Sequence, residues 1–184
     1  MQINLNEVIY KMLLLEASRW VGVKEQGGNN EGQVIEMFQK AVDGKDSREP
    51  WCMGKVQSDC MWALKYFEVA HPHIVGFMKL ALYPSEHCLT VWHKTPEICR
   101  TTSPYPGCVV IWQYGNTANG HTGIVQSIEG DKMKVIEGNT GDGLGVVRDG
   151  DGVYIRTRST KGTGDMKVVG FLEPFVFPTQ ASQV

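Results

Sequence analysis

The sequence lacks a charge excess of either sign. Eighteen Lys and Arg stand against 20 Asp and Glu, a formal net charge of −2. That excludes the basic field through which proteins hold nucleic acid or anionic lipid. Long apolar runs are missing near the start. The four residues Met12 to Leu15 are too short for a membrane span or for the core of a signal peptide. The expectation is a chain that begins its life in the cytoplasm, without membrane insertion. Cysteine occurs five times, at 52, 60, 88, 99 and 108. An odd number argues against the disulfide framework of a small secreted module and leaves at least one thiol free. Repeats, linkers and low-complexity segments are absent. The 184 residues therefore read as a single domain, 1–184, with a core of its own. Nothing in them demands more than a monomer.

What is present changes texture along the chain. Leu5, Val8, Ile9, Met12 and Leu13 have helical spacing, with Asn4 and Glu7 arranged as a capping box and Gly22 as a stop. A second helix over about 31–43 would bury Val34, Ile35, Phe38, Ala41 and Val42, between Asn30 as cap and Gly44 as stop. A third runs from about Trp51 to Val69, ended by "HPH" at 71–73. One or two short helices are expected around "IVGFMKLALY" and "LTVWHK". From Pro104 onward glycine becomes frequent and the pattern turns to strands: "CVVIWQY", "HTGIVQSI", "KMKVIEGN", "GVYIRTR" and "MKVVGFLEPFVF". Helices followed by an antiparallel sheet make an α+β domain.

The chemistry gathers around "EPWCMGK", residues 49–55. A buried cysteine is ordinarily a small apolar filler. A cysteine in the first turn of a helix is different, because unpaired N–H groups and the helix dipole favour the thiolate. Cys52 is in that position; Cys60, two turns on, reads as core. "GHTGIV" sets His121 at the start of a strand, where it can face the helix layer. "VIEGNT" sets Glu137 and Asn139 two apart, on one sheet face. If these strands form a hairpin, Glu137 or Asn139 lies beside His121, fixing its tautomer and leaving its other nitrogen for the thiol. Together they complete a cysteine-hydrolase set: nucleophile, base and orienting group. Trp51 either lines this site or packs against the first helix. In "EQGGNNEG", Glu25, Asn29 and Asn30 could bind substrate, and a turn with Asn30 as helix cap accounts for the same residues.

Read together, "GVKEQGGNNEG", "PWC", "PYPGCVVIW", "GHTGIV" and "EGNT" resemble the CHAP family of cysteine, histidine-dependent amidohydrolases/peptidases, over residues of about 16–158. The resemblance implies a papain-like α+β fold related to NlpC-type peptidases. It implies peptidoglycan as substrate, with Cys52 as nucleophile, His121 as base, and Glu137 and Asn139 orienting the histidine. No cofactor is implied. Many relatives are bacteriophage endolysins, which reach the wall after a partner such as a holin permeabilises the membrane. With no separate wall-binding module expected, recognition falls to the groove itself. The scissile bond, sugar to L-alanine or within the peptide, stays open. A contact-delivered or deamidating effector with the same apparatus is the alternative; one of another class is a non-catalytic binding module.

Departures from the family pattern are Met53 after the cysteine and Cys108 after the "PG" turn. Asp43, Asp46 and Glu49 stand where some members carry calcium ligands, but Lys45 and Arg48 interrupt the alternation of oxygens such a loop needs. His71, His73, His87 and His93 with Cys88 and Cys99 match no zinc spacing. No metal is expected. The run "GNTGDGLGVVRDGDG" lacks the lysine of a phosphate loop and does not open a helix, so it reads as a surface loop between strands.

Overall fold

A helical half and a sheet half meet along one sheet face in the computed structural model, which describes residues 4–74, 76–142 and 150–177. Helix α1, Leu5–Ser18, starts where Asn4 accepts the Asn6 N–H at 3.2 Å. Glu7 does not return the bond of a capping box; its carboxylate takes Lys11 one turn on, at 2.6 Å. The helix stops a turn before Gly22, whose N–H bonds Val153 O at 2.9 Å in the sheet half. Helix α2, Gln33–Asp43, is not capped by Asn30 as expected. Its N-cap is Gly32, while Asn30 is buried with a left-handed φ of 58°. Gly44 closes α2 at φ 82°, the expected stop.

Helix α3, Cys52–Ala70, is the spine of this half. Met53, Val56, Cys60, Ala63 and Phe67 recur at intervals of three and four and are buried, against Ile9, Leu13 and Ala17 of α1 and Ile35 and Phe38 of α2. Gly54 sets how close the helices come: a Cβ there would lie 2.6 Å from Phe38 O. The helix expected around "IVGFMKLALY" does not form. A 3₁₀ turn at Pro72–Ile74 leads instead to strand β1, Lys79–Leu80. Buried Met78 and Leu82 flank half-buried Leu80, an alternation that suits a strand, and the chain's own C-terminal stretch supplies the partner. Helix α4, Cys88–Lys94, falls within the expected region; a 3₁₀ turn and β2, Arg100–Thr101, follow.

The remaining strands are β3 (Val109–Tyr114), β4 (Gly120–Glu129), β5 (Lys132–Thr140), β6 (Gly152–Ser159), β7 (Gly162–Thr163), β8 (Met166–Leu172) and β9 (Phe175–Val176). They run antiparallel in the order β2-β8-β3-β4-β5-β6, with β7 on β8, while β9 pairs β1 apart. Alternation sorts the two faces. Ile111, Ile124, Ile136 and Val153 meet the helices; Val110, Trp112, Val125 and Val135 form a second cluster on the other face. Of the surface loop expected between β5 and β6, residues 143–149 lie outside the described residues.

Candidate active site

Cys52 is the first residue of α3. The first intrahelical bond of that helix is Lys55 N–H to Trp51 O at 2.9 Å, so the N–H groups of Cys52, Met53 and Gly54 have no helical carbonyl to meet. His121 is the second residue of β4, beside Trp112 of β3, on which its ring stacks at 5.7 Å between centroids. That pairing puts His121 on the face of the second cluster, not on the helix-covered face expected for it. Cys52 reaches it because the first turn of α3 sits over the end of β5. There Gly138 gives room to the Trp51 ring, which a Cβ would meet at 2.6 Å.

Of the two expected partners, the histidine bonds one. His121 Nε2 lies 2.9 Å from Glu137 Oε2. The register that pairs Ile124 with Ile136 sets Gly123 opposite Glu137 and would set Asn139 opposite His121. Two local features reverse that choice. Gly123 has no side chain, and a Cβ would fall 2.9 Å from Glu137 Cγ, so the carboxylate has space to lean diagonally to the ring. Asn139 has a φ of 53°, and the β5–β6 register shifts between Glu137 and Thr140, which takes its side chain out of the alternation. With its amide turned to satisfy both ends, Asn139 donates to Gly150 O at 2.9 Å and accepts the Trp51 N–H at 3.2 Å. It braces the backbone that enters α3.

Arg158 on β6 completes the line. Its Nε and a terminal nitrogen donate to the two Glu137 oxygens at 2.7 and 2.6 Å, a bidentate pair beneath the histidine. Burial alone would raise the Glu137 pKa, but the bonds from Arg158 and His121 hold it below the usual carboxylate value. For His121 burial works against charge, yet its hydrogen bonds to Cys52 and Glu137 lift it to about 9. The Cys52 thiol is lowered well below its ordinary value, first by its hydrogen bond with Cys88, then against burial by His121 and the Met53 N–H. Both shifts favour the thiolate and the imidazolium in this pair.

Cys52, His121 and Asn139 line a cavity of about 390 Å³ together with Glu49, Pro50, Glu86, His87, Cys88, Tyr114 and the 118–120 turn. Glu86 is raised to about 7, by burial and by its neighbour Glu49. A larger hollow of about 610 Å³ between α2 and α3 has neither cysteine nor histidine among its described lining residues. The other expected binding residues do not line the Cys52 cavity. Trp51 is 1% exposed and stacks on Phe38; its Nε1 donates to Glu25 Oε1 at 2.8 Å. Asn30 is turned inward beside Asn139, and Asn29 is exposed on the loop. Glu25 and Asn30 support the tip of α3 from behind, through Trp51 and Asn139. Cys88, Arg158, Glu86 and Tyr114 carried no signal in the sequence, since each reaches the site only by strand pairing or loop packing. Among the described residues no group of three or more His, Cys, Asp or Glu is placed to hold a metal ion. No helix among them is long and apolar enough to cross a membrane.

A family model for the CHAP domain matches residues 44–139, just over half of the chain. This chain belongs to the CHAP family. At the level of the family that makes it a hydrolase, a cysteine, histidine-dependent amidohydrolase or peptidase with peptidoglycan-related activity. The helices and antiparallel sheet are the α+β arrangement of its papain-like fold. The matched segment holds Cys52, His121, Glu137 and Asn139; Arg158 lies beyond it. No curated protein and no solved structure matches the chain.

Proposed function

We propose that this CHAP domain cuts an amide bond in the peptide part of peptidoglycan, as a phage endolysin does, with Cys52 as the nucleophile. The observation that carries the reading is the unbroken line Cys52–His121–Glu137–Arg158, buried behind and open in front to the 390 Å³ cavity. The Cys52 thiolate attacks the carbonyl carbon, and the oxyanion forms near the Cys52 N–H at the tip of α3, where the helix dipole also favours it. His121, already protonated, gives its proton to the departing amine as the tetrahedral intermediate collapses to a thioacyl-enzyme. The neutral ring then takes a proton from the water that releases the acid. Glu137 holds the ring and balances its charge, and Asn139 holds the Trp51 backbone. Recognition comes from the cavity walls, the enzyme acts as a monomer, and a holin-type partner gives it access to the wall.

The test is digestion of purified peptidoglycan, with mass spectrometry of the soluble products and Cys52→Ala alongside. Wild type should release muropeptide fragments whose new termini identify the bond, and Cys52→Ala should release none. Equal release by both removes Cys52 as nucleophile. Silence from both on several wall chemotypes removes peptidoglycan as the substrate and leaves a deamidating effector acting on protein or small amides, or a binding module.

A further inference from the structure

Two thiols meet in the cavity. Cys88 Sγ lies 3.7 Å from Cys52 Sγ, within hydrogen-bond range for sulfur, and both residues are buried. Their contact is built into the fold at two points. Gln57, one turn and a half beyond Cys52 on α3, donates its amide to Tyr83 O at 3.1 Å and to Ser85 O at 2.9 Å. That fastens the loop leading into α4 to the helix that carries Cys52. On the other side, Gly120 lets α4 settle against β4: a Cβ there would lie 3.0 Å from Cys88 Cβ and 2.7 Å from Trp112 O. Cys88 is thus pressed into the site between the nucleophile's helix and the histidine's strand.

We propose that Cys88 is a positioning residue of the reaction, whose S–H donates to the Cys52 thiolate, holding the sulfur in the cavity and favouring its ionised form. This rests on the assignment of Cys52 as nucleophile. The direction of donation follows from where the two sulfurs stand: Cys52 lies at the tip of α3 and bonds His121, both of which favour its thiolate, so Cys88 is the S–H that meets it. Burial, which raises the Cys88 thiol, agrees with this order. A vicinal thiol stabilises the thiolate of Cys-X-X-Cys motifs in the same way. Here the two cysteines are 36 residues apart and only the tertiary fold joins them.

The other groups that bear on Cys52 are His121 from β4, Tyr114 from β3, the Met53 N–H on its own helix, and Glu49, Glu86 and His87 around the cavity, with Glu137 and Arg158 behind the ring. None of these residues is itself changed in a Cys88 variant, and the serine variant controls for packing, so a shift confined to Cys88→Ala is assigned to the lost donor. The measurement is the rate of iodoacetamide labelling of the Cys52 peptide against pH, read by mass spectrometry in wild type, Cys88→Ala and Cys88→Ser. Cys88→Ala should move the midpoint upward by about one pH unit, a tenfold loss of thiolate on the acid limb. Cys88→Ser keeps an O–H donor and should stay near wild type. A midpoint unchanged in Cys88→Ala, or raised equally in both variants, overturns the proposal. Because labelling needs no substrate, these outcomes are separate from the digestion test: failure to cut peptidoglycan leaves the thiol result standing.

Discussion

The two ends of one stretch of α3 treat the same chemical groups in opposite ways. At its tip, the Cys52 thiol is lowered, and so is the Glu137 carboxyl behind His121. Two turns on, the Cys60 thiol is raised well above its ordinary value and Asp59 is raised to about 6. Burial does not separate them, since Glu137, Asp59 and Cys60 are all 0% exposed and Cys52 only 5%. The difference is donors. Glu137 accepts from Arg158 twice and from His121, whereas Asp59 has the Lys55 ammonium at 2.5 Å on one oxygen and no hydrogen-bond partner on the other among the described residues. Burial always resists the anion; only converging hydrogen bonds and a positive partner reverse it.

The largest break in that comparison is His121→Ala. It removes the cation from the tip of α3, so Cys52 should label like a buried thiol, and wall cleavage should fall by about 10³-fold or more. In wild type, activity should decline as pH rises through about 9, where the imidazolium loses its proton. An alkaline limb that is the same with and without His121 would detach the limb from this residue. Next is Arg158→Met, which strips two of the three bonds from Glu137 and leaves a charge underneath the histidine. The expected loss is about 3–5 kcal/mol in urea unfolding, with much of it recovered in the Arg158→Met/Glu137→Gln double variant. Additive losses in that cycle would mean the two side chains do not act as a pair.

Asp59 sharpens the comparison through pH. A raised carboxyl pKa gives stability that is complete below the ordinary value of 3.8 and is lost as pH climbs through about 6. Glu137 has the reverse sign: its contribution is present above 4.5 and fades only as pH falls through its lowered value. Asp59→Asn should therefore flatten the melting temperature between pH 4 and 6.5 relative to wild type. Glu86 titrates near the same window, so the difference between the two proteins, rather than the wild-type slope, isolates Asp59. A wild-type slope retained in Asp59→Asn contradicts the assignment. The smallest effect belongs to Cys60→Ala, with about 1 kcal/mol of stability lost and Cys52 labelling unchanged. A shift in Cys52 labelling there would show that the two turns of α3 are coupled.

Much of the frame was legible because it is local. The apolar spacing of α1, α2 and α3, the stop at Gly44 and the strand alternation from Val109 onward follow from period and turn chemistry. So does Cys52 at a helix start, since "PWC" follows a polar run and precedes that periodicity. Where the reading departed from the fold, a distant partner decided. "IVGFMKLALY" has apolar content that suits either element, and pairing with Phe175 and Val176 made part of it a strand. Asn30 had the right chemistry for a cap but lies inward against Asn139, 109 residues away.

The site divides along the same line. The residue types and their order were written in the chain: a cysteine opening a helix, a histidine opening a strand, and two polar side chains on the next strand. That was enough for the family and for a hairpin to join His121 with one of two partners. Which partner, and with what behind it, was settled by the glycine at 123, the left-handed turn at Asn139 and the arrival of Arg158 from β6. Cys88 reached Cys52 by the same kind of route, through Gln57 and Gly120. Period, capping and strand alternation act over a few residues and can be read from them. A thiolate, an imidazolium and a buried carboxylate need partners from several strands at once, and only the folded chain brings those within 3 Å or so of one another.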